Sequence, residues 1–203
     1  MRVALVGAYG AGKTTLADAV SAATGWPIPQ VGPMADPVRG TPRTLGQCSL
    51  DEVFRLSLRR LDERARSEAA FGSSLISDGS VLHEWVYLRV LAAGVHRPPA
   101  PGTRRAPDAE VLERLAEQAL AEHAQSLPER YDLVVHVAPE HPLPPTAPIG
   151  AAFQHALDTE TRRVLAGSAA RVVTAGGTVH ERTLAVLTAA RHGYPADTTN
   201  GTQ

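Results

Sequence analysis

A short apolar run, Val3-Ala4-Leu5-Val6, leads into Gly7-Ala8-Tyr9-Gly10-Ala11-Gly12-Lys13-Thr14 and then into a helix-like segment. No other feature restricts the chain as strongly. The octapeptide fits G-x-x-x-x-G-K-[ST] without a mismatch, and it follows a strand and opens a helix, where that motif has meaning. Its glycines let the backbone wrap a phosphate and turn N–H groups toward it. The following helix aims the positive end of its dipole at the same anion. Gly7, Ala8, Tyr9, Gly10, Ala11, Gly12, Lys13, Thr14 and Thr15 are therefore expected to hold a nucleotide. Lys13 reaches the β and γ phosphates, the Thr14 hydroxyl ligates Mg²⁺, and Thr15 supports the α phosphate. Lys13 is also the only lysine in the chain.

Beyond the loop, strand-like and helix-like segments alternate. Helical spacing runs over 14–24 and ends at Gly25. Trp26 to Val31 reads as a second strand interrupted by proline. Residues 32–47 are rich in glycine and proline, and a loop of that length in a compact domain is often functional. Ser49 caps a helix to about Ala70, with Val53, Phe54, Ser57, Leu58, Leu61 and Ala65 inward and Arg55, Arg59, Arg60, Arg64 and Arg66 outward. A third strand, Ser74 to Asp78, precedes a helix over 81–93. After the loop 94–107 come a helix from Asp108, a strand over 133–137, a proline-rich loop 138–150, a helix from Ala151, a strand over 171–174 and a helix over 179–191. The expected fold is a three-layer αβα P-loop fold with a five-stranded parallel sheet. One domain spans 1–192, and the polar residues 193–203 are expected to form a disordered tail.

Composition narrows the function. Twenty basic and 21 acidic residues give a net charge of −1, which argues against a nucleic-acid partner held by bulk charge. The opening apolar run is far shorter than the ~18 residues of a membrane span, so no membrane partner is expected. A single cysteine, Cys48, allows no internal disulfide and suits a cytoplasmic location. A packed role for Cys48 outweighs a catalytic thiol. A homodimer is left open.

Asp78, ending an apolar strand, is placed to hold Mg²⁺ beside the loop. The competing reading is a cap for the helix that starts near Ser80. At this point the chain resembles the nucleoside, nucleotide and nicotinamide-riboside kinases, in which the third strand often ends in Asp-Arg-Ser and leads into a helix with aromatics. Here the triplet is Asp78-Gly79-Ser80, followed by His83, Trp85 and Tyr87. An arginine is expected after Asp78, and Gly79 stands in its place. The resemblance implies that Asp36, in Asp36-Pro37-Val38-Arg39, takes the proton of an acceptor hydroxyl while Arg39 anchors the acceptor. An Asp-Pro turn alone is the plainer reading of Asp36.

Arg43, Arg55 and Arg59 are further acceptor or phosphate candidates. Tyr87 and Trp85 point to different helix faces, so only one of them can line an acceptor pocket, and a core position is the favoured reading of Trp85. The lid segment 138–150 carries no arginine. Arg162 and Arg163 on the next helix, or Arg104 and Arg105 earlier, are therefore the candidates to close over the transferring phosphoryl group, with Arg162 preferred. His141 reads as an ordinary loop residue. The resemblance places the loop with Gly177, after the fifth strand, against the adenine ring, and a plain turn is the equal alternative. No Asn-Lys-x-Asp guanine-reading motif is present, so ATP with Mg²⁺ is the expected cofactor pair. The expected activity moves the γ-phosphoryl group of ATP to a hydroxyl of a small nucleoside-like or secondary-metabolite acceptor. A switch NTPase lacks support for want of the guanine motif and an Asp-x-x-Gly sequence. An oligomeric ATPase acting on a protein is the remaining alternative.

Overall fold

The computed structural model describes residues 1–32, 50–92, 114, 118, 120–147 and 149–192. Asp36, Arg39, Arg43, Cys48, Arg104, Arg105, the cap positions Ser49 and Asp108, and the tail 193–203 lie outside the described residues.

Four strands form one parallel sheet: β1 (Arg2–Val6), β2 (Leu75–Asp78), β3 (Leu133–Val137) and β4 (Val172–Ala175). Their order is β2-β1-β3-β4. The helices are α1 (Lys13–Thr24), α2 (Leu50–Ala69), α3 (Val81–Ala92), α4 (120–125), α5 (Leu127–Arg130), α6 (Ala151–Ala166) and α7 (Val179–Arg191). Strand alternation explains the layers. Val3 and Leu5 face one core with Leu16, Val20 and Val186, under α1 and α7. Ala4 and Val6 face the other with Val53, Val86 and Phe153, under α2, α3 and α6. Val3, Ala4, Leu5 and Val6 are all 0% exposed, and each such Val or Leu contributes roughly 1.5–3 kcal/mol. A continuous apolar run is what a strand covered on both faces requires. Among the described residues no helix is long and apolar enough to cross a membrane.

The sheet corrects two expectations. Trp26–Val31 is not a strand, so the described sheet has four strands rather than five. Pro27 and Pro29 lack the N–H groups a ladder needs; a lone bond from the Ile76 N–H to Pro27 O, 2.9 Å, ties the segment to the edge of β2. The second correction concerns α2. Arg60 and Arg64 turn inward, 9% and 2% exposed, whereas Leu58 is 38% exposed. The inward stripe keeps helical spacing through Val53, Ser57, Arg60, Leu61, Arg64 and Glu68. Its charged members are tolerated because α3 and β2 supply partners.

The chain goes from β1 to β2 on one side and then to β3 on the other. A crevice therefore opens at the C-terminal end of β1, the usual ligand position in such sheets. Leu5 of β1 pairs with Asp78 of β2 there.

Candidate active site

The glycine-rich loop leaves β1 at Gly7 with φ 147°. A Cβ at Gly7 would lie 2.4 Å from Val137 O, so the loop can pass the end of β3 only as bare backbone. Gly12 caps α1 in the left-handed region, with no side-chain cap bond. The Leu16 N–H returns to Gly12 O at 3.0 Å. Earlier N–H groups of this first turn have no intrahelical carbonyl to meet and form the anion-facing end of the helix.

Lys13 Nζ donates to Ala8 O at 2.9 Å, curling back along the loop. Burial lowers its pKa to about 8; Asp78 opposes this shift and Arg64 adds to it. The Thr14 hydroxyl donates to Asp78 Oδ2 at 2.6 Å. Thr14 is exposed and Asp78 half-buried, so this pair of oxygens opens to solvent. Among the described residues no group of three or more His, Cys, Asp and Glu could hold a metal. Two hard oxygens still suit Mg²⁺, which keeps water and takes phosphate oxygens to complete its shell. The residues present fit that ion.

The turn from β2 to α3 is locked to the loop. Ser80 N–H donates to His83 Nδ1 at 3.0 Å, so the proton belongs on Nε2, which donates to Gly7 O at 3.0 Å. His83 thereby braces the loop through both ring nitrogens. Burial, then Lys13 and Arg64, hold its pKa well below 6.5. Gly79 lies between, at φ 105°, where a Cβ would meet Arg64 Nη2 at 2.7 Å and His83 Nδ1 at 3.2 Å. Neither the backbone angle nor the space admits the arginine expected at this position.

Beneath the turn, Glu84 is 0% exposed. Arg60 Nε lies 3.3 Å from its Oε1 and Arg64 Nη2 lies 3.6 Å from the same atom. Burial raises the Glu84 pKa, and the two guanidinium groups oppose that rise. Arg60 also donates to Gly32 O, at the threshold of the segment 33–49.

Arg182 of α7 was not legible as a site residue. It is 6% exposed. Its guanidinium donates to Ala11 O at 2.6 Å, Gly177 O at 2.8 Å and Glu140 Oε2 at 2.9 Å. It thus joins the glycine-rich loop, the segment after β3 and the turn after β4. Gly177 N–H is held by Glu140 at 2.8 Å, so this turn is fixed from two sides.

The other expected residues differ in their surroundings. Ala8 and Ala11 are buried, whereas Tyr9, Gly10, Gly12 and Thr15 are exposed. Tyr9 O accepts from Gln154 Nε2 at 2.9 Å, which fastens the loop to α6. Tyr87 is half-buried and meets Phe153 edge-on, with ring centroids 6.0 Å apart. Burial, with help from Glu84, pushes its hydroxyl up to about 12. Trp85 is core, 8% exposed, with the guanidinium carbons of Arg89 and Arg163 5.1 and 5.9 Å from its ring centroid. Arg55, Arg59 and His141 are exposed. Arg162 is bound to Asp158 at 2.9 Å, and Asp158 also meets His136 on β3 at 2.9 Å; no described contact brings Arg162 to the loop.

A family model described as "AAA domain" matches residues 2–182. No curated protein matches the chain by sequence. Among solved structures, deoxyadenosine kinase from M. mycoides superposes with a TM-score of 0.63 at 13% identity, covering 95% of this chain and 99% of that one. Thymidylate kinase from Candida albicans gives 0.61 at 16%, over 94% and 91%. NadR, solved with NAD and AMP-PNP, gives 0.59 at 19%, over 97% of this chain and 50% of its own. At such identities the likeness is one of fold, and the fold is that of nucleoside and nucleotide kinases.

Proposed function

The chain belongs to the AAA domain family, and we propose that it works as an ATP-dependent small-molecule kinase. The observation that carries this reading is the contact of Thr14 with Asp78 at 2.6 Å beside Lys13. It unites a helix-start hydroxyl, a strand-end acid and a lysine at one crevice, as phosphoryl transfer requires. Support also comes from the fold shared with structures whose names are kinases.

In this reading Lys13 binds the β and γ phosphates, and Thr14 and Asp78 hold Mg²⁺. The bound ion neutralises phosphate charge. The acceptor oxygen bonds to the γ phosphorus as the bond to the bridging oxygen of ADP breaks, and Asp36 takes the hydroxyl proton. Tyr87, Arg55 and Arg39 serve the acceptor, which is nucleoside-like or a secondary metabolite. Gly177 lies toward the base, and Arg162, once released from Asp158, serves the transferring group. A second reading, an ATPase acting on a protein partner, would use the same loop and the same Thr14–Asp78 pair.

The test is ADP release from ATP and Mg²⁺, alone and against a panel of nucleosides, nucleotides and hydroxyl-bearing metabolites. Release stimulated sharply by one acceptor establishes the kinase. Slow release that no acceptor stimulates moves the assignment to the ATPase.

A further inference from the structure

Arg64 is the most deeply buried arginine among the described residues, at 2% exposure. A buried guanidinium persists only where fixed acceptors meet it. Its acceptors cluster around one acid. Nη1 donates to Ser77 Oγ at 3.0 Å and approaches Asp78 O at 3.5 Å. Nη2 lies 3.6 Å from Glu84 Oε1. Asp78 is thereby flanked at its own carbonyl and at the preceding side chain. The following residue completes the grip: Gly79 leaves a space in which Nη2 would stand 2.7 Å from a Cβ, and its N–H is pinned to Leu5 O at 2.9 Å.

Ser77 is itself anchored. Its hydroxyl donates to Glu68 Oε1 at 2.6 Å, and the same oxygen accepts from the Tyr131 hydroxyl at 2.8 Å. Arg64 is therefore the end of a buried polar chain that runs beneath β2 and stops at the residue whose carboxylate meets Thr14.

We propose that Arg64 is a positioning residue for Asp78: its guanidinium, seated in the space that Gly79 leaves and held by Ser77 and Glu84, sets the direction in which β2 presents the acid to Thr14 and the metal. Groups behind a metal ligand act this way when they remove its alternative orientations. Lysine cannot replace the function, because two separate nitrogens of a rigid fork meet Ser77 and Glu84. The inference rests on the reading of Thr14 and Asp78 as the metal pair.

The experiment measures Mn²⁺ affinity by electron paramagnetic resonance in the presence of ADP, and ADP affinity without metal, in the intact protein. Arg64→Gln is expected to weaken Mn²⁺ binding about tenfold, the scale for loss of an outer-shell partner, with metal-free ADP affinity near that of the wild type. Arg64→Lys is expected to recover little of the loss. Ser77→Ala, a milder change, moves Mn²⁺ affinity in the same direction and decides the matter if Arg64→Gln does not fold. Unaltered Mn²⁺ affinity in folded Arg64→Gln, or in Ser77→Ala when that variant must stand in, overturns the proposal. Asp78→Asn separates the two levels. If it weakens Mn²⁺ binding and the Arg64 variants do not, only the positioning role falls. If it binds Mn²⁺ like the wild type, the metal reading falls and takes the proposal with it.

Discussion

The Thr14 hydroxyl donates to Asp78 Oδ2 at 2.6 Å across 64 residues of sequence. One group belongs to the first turn of α1, the other to the last residue of β2. The parallel pairing of β1 with β2 sets Leu5 beside Asp78, and the loop then carries Thr14 back over that edge. A hydroxyl and a carboxylate thus meet at the mouth of a crevice, beside the glycine-rich loop along which Lys13 curls back to Ala8 O.

Lys13→Ala is expected to lower turnover by on the order of 10²–10³-fold, the scale for losing one group aimed at developing charge. Steady-state rates at saturating ATP check this, and unchanged turnover removes Lys13 from the mechanism.

The pH dependence of binding follows from the same lysine. Its pKa is lowered to about 8, so the ammonium is present below that pH and is lost above it. A polyphosphate beside Nζ raises the value again. The Lys13 contribution to ATP binding is therefore uptake of a fraction of a proton at pH ~8.5 and close to none at pH ~6.5. Calorimetry in two buffers of different ionisation enthalpy reads this directly; equal heats at pH ~8.5 contradict it. For folding, the native chain binds fewer protons than the unfolded chain between about 8 and 10.5. The Lys13 contribution thus makes nucleotide-free stability rise with pH across that window.

Asp36→Asn is expected to slow phosphoryl transfer by about 10²-fold or more, the range for a positioned base, with ATP affinity near normal. Single-turnover rates and a binding isotherm separate these effects. A collapse of ATP affinity would assign Asp36 to metal binding or structure.

Gly79→Ala is expected to destabilise by more than the ~1–2 kcal/mol of a left-handed backbone angle, because a Cβ would also displace the Arg64 guanidinium, 2.7 Å away. Urea unfolding measures it. A neutral result means that the turn relaxes without Arg64 moving.

Arg182→Met is expected to lose on the order of 3 kcal/mol, since it abandons carbonyls and a carboxylate that face a buried guanidinium. It should also raise the KM for ATP, because Ala11 O in the glycine-rich loop is one of those partners. Lost stability with an unaltered KM would confine Arg182 to folding.

Much of this protein is written in short windows of its sequence. The phosphate loop, the alternation of strands with helices and the acid that ends β2 are each fixed within a dozen or so neighbouring residues, by backbone freedom at glycine and by side-chain period. The proline-bearing segment Trp26–Val31 has the apolar content of a strand, but its missing N–H groups cannot complete a ladder. Where the buried charges go depends instead on the assembled fold. Arg64 reads as one solvated arginine among several on α2 until Glu84 and Ser77 are brought beneath it. Arg182 reads as an ordinary helix residue until Ala11 arrives 171 positions away. Gly79 reads as a missing arginine until Arg64 is found filling its space. A helix face is apolar or charged by inspection, but whether a charge is buried depends on partners that the chain delivers from elsewhere, and no local pattern records them.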